Sequence, residues 1–208
     1  MNIDKDTKLF GSFSMISGNN GNIFFNKKFK KYNINAIYKS FSINDIEQAI
    51  KAAECLNFSG FAVSMPFKKS ILPYIDVVSD RVKAIGACNT VIRENNKWVA
   101  YNTDYVAMKE TISSFKEIII LGKGGLASAT IYACNILNIK YDIITREKWD
   151  KIKDIKNNVV VNCTPVSDLN LDKSNTFIDA KVDNLNGRKI YYLQACEQFR
   201  LYTGIKIS

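Results

Sequence analysis

The segment Gly122-Lys123-Gly124-Gly125-Leu126-Ala127 has glycine at its first and third positions and alanine at its sixth. An unbroken apolar run, Glu117 to Leu121, precedes it, and a helical pattern from about Gly125 to Leu137 follows. This is the G-x-G-x-x-G/A pattern of a dinucleotide turn in its strand-to-helix setting. The first glycine permits the tight turn and the second lets a pyrophosphate approach the backbone. The helix start supplies N–H groups and partial positive charge. An ordinary tight βα turn is the competing reading of the same residues. The next strand, Tyr141 to Thr145, runs into Arg146, Glu147 and Lys148. An acid at this place accepts the ribose hydroxyls of NAD, whereas an arginine holds the extra phosphate of NADP. Arg146 favours NADP, and Glu147 leaves NAD open if its side chain turns inward.

Proton transfer has to be carried by Lys, Asp, Glu, Tyr or Cys, because the chain contains no histidine. That excludes histidine triads, His-ligated zinc and imidazole bases; no metal site is expected. The five cysteines, Cys55, Cys88, Cys134, Cys163 and Cys196, are scattered in apolar stretches without Cys-x-x-Cys spacing, so reduced, mostly buried thiols are expected. The net charge of +9 comes from dispersed lysines, which argues against nucleic acid and for attraction of carboxylates and phosphates. The charged N-terminus MNIDKDTKLF lacks the apolar stretch of a signal peptide, and no window is long and apolar enough to span a bilayer. A cytoplasmic protein without a membrane partner is expected, as monomer or homodimer.

With 208 residues, 47% of them hydrophobic, the chain can bury one core or two small ones. Strands are predicted at Lys8 to Ser14, Asn35 to Phe41 and Gly60 to Met65. Between them Phe25, Phe29 and Tyr32, then Ile43, Ile46, Ile50 and Ala53, recur at helical spacing. Such alternation favours a sheet with parallel strands, covered by helices. The pattern restarts at Lys116 as a βαβ unit, followed by strands at Val159 to Asn162 and Asn175 to Asp179. A last helix, about Lys189 to Thr203, is closed by Gly204. The expected fold is α/β with two domains. Residues 1–104 with 189–208 form an N-terminal α/β substrate domain, to which the C-terminal helix returns; residues 105–188 form a Rossmann-like NADP-binding domain.

Ahead of the glycine turn stand Val63-Ser64-Met65-Pro66-Phe67-Lys68, Ile85-Gly86-Ala87-Cys88-Asn89-Thr90 and Tyr101-Asn102-Thr103-Asp104. In this order and spacing they resemble the shikimate dehydrogenase family. Asn162-Cys163-Thr164-Pro165 is similar to that family's Asn-x-Thr-Pro turn, and Leu193 to Gly204 to its closing helix. The resemblance covers nearly the whole chain. It implies NADP as cofactor and a hydroxylated ring carboxylate as substrate. Lys68 and Asp104 would be the catalytic pair, and Asn89, Thr103 and Gln194 would bond the substrate hydroxyls. Gly122, Gly124, Gly125, Ala127, Thr145, Arg146 and Thr164 would bind the cofactor. Read alone, Lys68 is a solvated lysine at a helix start and Asn-Thr-Asp a helix cap. The chemistry suits the pair: ketone reduction puts negative charge on oxygen, and an ammonium held by a carboxylate can protonate it.

The chain departs from the family where a His-Ser-x-Ser pair would hold the carboxylate. Here Ser17 matches the first serine, Asn19 takes the second position with Asn22 as its rival, and Ile16 replaces the histidine. After Asp179 the family's tyrosine and proline are missing, Ser167-Asp168 replaces Gly-Met, and the second domain is shortened. Three functions follow as expectations: a shikimate dehydrogenase reducing 3-dehydroshikimate in chorismate biosynthesis; a quinate or aminoshikimate dehydrogenase; or a catalytically weak paralogue that binds a nucleotide or metabolite.

Overall fold

A computed structural model of the protein describes residues 3–207. The chain divides into two compact units, Met1–Thr103 with Ala195–Ser208, and Asp104–Gln194, so both boundaries fall inside helices.

The first unit begins with strand β1 (Lys8–Ser14), helix α1 (Asn20–Lys31), strand β2 (Ala36–Ser42), helix α2 (Ile46–Cys55) and strand β3 (Phe58–Val63). These strands pair in parallel, β1 lying between the other two. Helix α2 starts where Asp45 accepts a 3.0 Å hydrogen bond from the Gln48 N–H, and it buries Ile46, Ala49, Ile50 and Ala53. Ile43 lies before this helix rather than within it. Strands β4 (Val77–Val78), β5 (Thr90–Glu94) and β6 (Lys97–Tyr101) complete a sheet of order β2-β1-β3-β5-β6-β4, with helix α3 (Asp80–Ile85) between β4 and β5.

The three strands expected from the sequence are parallel as read, and the sheet becomes mixed beyond them, where β5 runs antiparallel to β3 and to β6. The reason is local. Asn95 and Asn96 adopt φ of 50° and 61°, the left-handed pair that closes a two-residue hairpin. Phe13, Phe61 and Trp98 pack beneath α2 on one face. Phe10, Phe25, Phe29, Phe199 and Tyr202 pack together elsewhere in the unit, joining α1 to the end of helix α6 (Leu185–Thr203). Fully burying such a ring contributes about 1.5–3 kcal/mol, which pins residues 195–203 to this unit.

The second unit holds α4 (Thr103–Ile112) from Asp104 on, β7 (Glu117–Leu121), α5 (Gly125–Leu137), β8 (Lys140–Ile144), β9 (Val159–Asn162) and β10 (Thr176–Asp179). Its four strands are all parallel in the order β10-β9-β7-β8. Central β7 reads as a continuous apolar run because both of its faces are covered. Ile119 and Leu121 pack against Ile152, Trp149 and Leu169 of the connecting segments. A 3₁₀ segment, Arg146–Asp154, stands in place of a full crossover helix between β8 and β9. The strand order reverses at β7, and ligands of parallel sheets bind at the carboxyl ends of the strands beside such a reversal.

Candidate functional site

The carboxyl end of β7 is where the glycine turn sits. Gly122 adopts φ +108°, and a Cβ there would stand 2.8 Å from Thr164 Cγ2. Both facts demand glycine for reasons internal to the protein. Gly124 differs. It is the N-cap of α5 in extended conformation (φ −77°, ψ −174°), and a Cβ would meet nothing within 4 Å. No side chain caps that helix, so an anion can approach its first N–H groups. Gly125 opens the helix, and Ala127 is fully buried.

Asn162 shapes the neighbouring turn. Its Oδ1 accepts from the Thr164 N–H (3.0 Å) and Oγ1 (2.7 Å), while its Nδ2 donates to Val166 O (2.9 Å) and Asp179 Oδ1 (3.2 Å). The Cys163 N–H donates to Leu121 O, which holds Thr164 against Gly122. At the end of β8, Thr145 precedes the 3₁₀ segment and its hydroxyl donates to Glu147 Oε2. Lys123 Nζ lies 3.3 Å from Glu147 Oε1. These bonds, the one from Thr145 foremost, hold the Glu147 carboxyl down at about 2. Arg146 is exposed. An uncapped helix start, an open Gly124 and two cations beside β8 fit a dinucleotide phosphate group.

In the first unit, main-chain hydrogen bonds gather the segments that are far apart in sequence. The Val63 N–H donates to Asn89 O (2.8 Å), that of Cys88 to Lys68 O (2.8 Å), and that of Asn89 to Tyr101 O (3.2 Å). Lys68 is half-buried on this turn. Asn89 is 2% exposed and its amide is oriented on both sides. Oδ1 accepts from the Thr103 N–H (2.7 Å) and Thr90 Oγ1 (2.9 Å), and Nδ2 donates to Thr103 Oγ1 (2.9 Å). Thr103 Oγ1 therefore accepts from within the protein.

Gln198 anchors this network and was missed by the sequence reading. Buried on α6, it donates from Nε2 to Thr90 Oγ1 (2.8 Å) and to Asn89 O (3.3 Å). Its one signal was its place four residues after Gln194, on the same helix face. Replacing Gln198 with leucine removes the donor to the buried Thr90 hydroxyl, a loss of about 1–3 kcal/mol. The expected result is an earlier denaturation midpoint; an unchanged midpoint would refute the anchoring role.

The loop after β1 carries Ser17 and Asn19. Ser42 Oγ accepts from the Ser17 N–H and donates to Ser17 Oγ, both at 3.0 Å, which leaves the Ser17 hydroxyl able to donate outward. Asn22 spends its Oδ1 on the Ser40 N–H (2.7 Å) and donates from Nδ2 to Asn19 Oδ1 (3.2 Å). That bond commits the Asn19 Oδ1 as an acceptor. Ile16 is 87% exposed. In the second unit, Asp104 is 6% exposed in the first turn of α4, and Gln194 is half-buried on α6.

Residues 16–91 match the shikimate dehydrogenase substrate binding domain. The chain is 32% identical to a shikimate dehydrogenase-like protein of Haemophilus influenzae, over 97% of this chain and 92% of that protein. It is 34% identical to the NADP(+) shikimate dehydrogenase of Aquifex aeolicus, over 73% of this chain and 60% of that enzyme. Among solved structures, a shikimate 5-dehydrogenase-like protein superposes with a TM-score of 0.84 at 29% identity, covering 100% of this chain and 95% of the other. The Aquifex aeolicus shikimate dehydrogenase structure superposes with a TM-score of 0.86 at 26% identity, covering 100% and 96%.

Proposed function

The chain belongs to the shikimate dehydrogenase family, and from that premise we propose that it is an NADP-dependent dehydrogenase interconverting 3-dehydroshikimate and shikimate. The observation that carries this reading is the oriented Asn89–Thr103 pair, joined by main-chain bonds to the turn bearing Lys68. A polyhydroxylated ring needs fixed donors and acceptors of this kind, and a positioned amine to move a proton.

In this reading the first unit binds substrate and the second binds the cofactor. The Ser17 hydroxyl and the Asn19 amide hold the carboxylate, while Asn89, Thr103 and Gln194 bond the ring hydroxyls. Gly122, Gly124, Gly125 and Ala127 shape the pyrophosphate cradle. Arg146 holds the 2′-phosphate beside Thr145, and Thr164 braces the turn. NADP, when bound, accepts or returns the hydride. Lys68 gives a proton to the carbonyl oxygen as charge develops there, and Asp104 supplies the carboxylate that accompanies that transfer. Lys68 and Asp104 are assigned from the family pattern.

The Asn19 amide in the carboxylate loop favours a second reading, in which the substrate is quinate or an amino-substituted analogue. Following nicotinamide absorbance with shikimate, quinate and no substrate, each with NADP and with NAD, separates the two. Fastest turnover is expected for shikimate with NADP. Faster quinate turnover overturns the substrate. No turnover with either, alongside a raised melting temperature with NADP, replaces the enzyme by a binding module.

A further inference from the structure

An acid just after the second strand of a dinucleotide unit ordinarily selects NAD, because it accepts the ribose hydroxyls and repels a 2′-phosphate. Glu147 stands at this place, yet both of its oxygens are already engaged. Oε1 faces Lys123 Nζ at 3.3 Å and Oε2 accepts from the Thr145 hydroxyl. Lys123 comes from the glycine turn, between Gly122 and Gly124. Its Nζ nevertheless reaches the end of β8, where Arg146 stands next to Glu147 in sequence. The carboxylate is thus tied by a cation that did not come from its own strand, and Arg146 is its neighbour in the chain.

We propose that Lys123 is a specificity-determining residue: it pairs with Glu147 in the absence of ligand and transfers to the 2′-phosphate with Arg146 when NADP binds. The inference rests on the NADP reading above and deepens it. Three physical points favour the exchange. The Lys123–Glu147 pair is exposed, with side chains 74% and 65% accessible, and such pairs are weak. A phosphate monoester carries about −1.5 to −2 at neutral pH against −1 for a carboxylate, so it is the stronger partner. The lysine ammonium is a point charge on a flexible stem, able to move between two anions without the planar alignment an arginine requires. Thr145 keeps hold of Glu147 after the lysine leaves, which keeps that carboxylate from turning to the ribose.

The test is calorimetric binding of NADP, NAD and adenosine 2′,5′-bisphosphate to the full chain and to Lys123→Met, Glu147→Gln and Arg146→Ala, with melting temperatures as a folding control. Lys123→Met is expected to weaken NADP and the bisphosphate about tenfold, as loss of one charge-assisted contact should, and to leave NAD within twofold. Glu147→Gln should tighten NADP, and the double variant should recover part of the loss. If Lys123→Met changes NADP and NAD equally, or neither, while Arg146→Ala weakens NADP alone, the lysine has no such role and the NADP reading stands. If the wild-type chain prefers NAD and Arg146→Ala leaves NADP unchanged, the cofactor reading fails and this inference with it.

Discussion

Lys68→Ala is expected to lower the rate of shikimate oxidation by about 10² to 10⁴-fold, the range lost when a positioned acid or base is removed, with NADP affinity kept within twofold. The separation is expected because the structural duty at position 68 belongs to the main chain. The Lys68 carbonyl accepts from the Cys88 N–H at 2.8 Å, and truncating the side chain leaves that bond in place. Phe67, 7% exposed, fixes the turn in the core. Lys68→Arg keeps a positive charge but, with a pKa above about 12, releases a proton far less readily. It should restore substrate affinity without restoring turnover. Stopped-flow absorbance at saturating substrate reads the effect, and wild-type turnover in Lys68→Ala would end the catalytic assignment.

The second large effect concerns the glycine turn and depends on telling its glycines apart. Gly122→Ala meets two penalties: a side chain at φ +108°, and a Cβ placed 2.8 Å from Thr164 Cγ2. Backbone strain of this kind costs about 1–3 kcal/mol, so stability and NADP binding should fall together. Gly124→Ala meets neither, since its φ is −77° and the space around a Cβ is open. It should fold as well as wild type and still bind NADP poorly, because the methyl occupies the approach to the uncapped helix start. Thr164→Ser removes the clashing methyl while keeping the hydroxyl bonded to Asn162, so it should relieve part of the Gly122→Ala defect. Denaturation midpoints together with calorimetric titration distinguish the two glycines. Equal stability losses at both positions would mean that Gly124 is also a backbone requirement and not an access point.

These expectations draw on information of different range. The strand at Lys8–Ser14, the βαβ pattern through Leu137 and the strand at Val159–Asn162 were legible because apolar period and glycine punctuation are properties of neighbouring residues. The β5–β6 hairpin has a local signal as well, Asn95-Asn96, and it is what adds antiparallel strands to the three parallel ones. In the candidate site, the glycine turn and the segments around Lys68, Asn89 and Thr103 announced themselves by residue type and order.

What joins those segments was not legible. Gln198 reaches Asn89 and Thr90 across more than one hundred positions, and Ser42 orients Ser17 from the neighbouring strand. Ser42 has no local peculiarity that marks it, and Gln198 has only its i+4 spacing from Gln194. The sequence by itself determined which chemical groups the chain carries and which stretches become helix or strand, because propensity, capping and periodicity act within a few residues. Tertiary structure alone decided which way the Asn89 amide points, that Gly122 rather than Gly124 is held by its neighbours, and that Lys123 faces Glu147. Each of those depends on a partner brought within a few ångströms by packing, and hydrogen bonds and charge pairs are set by distance in space, which chain order does not encode.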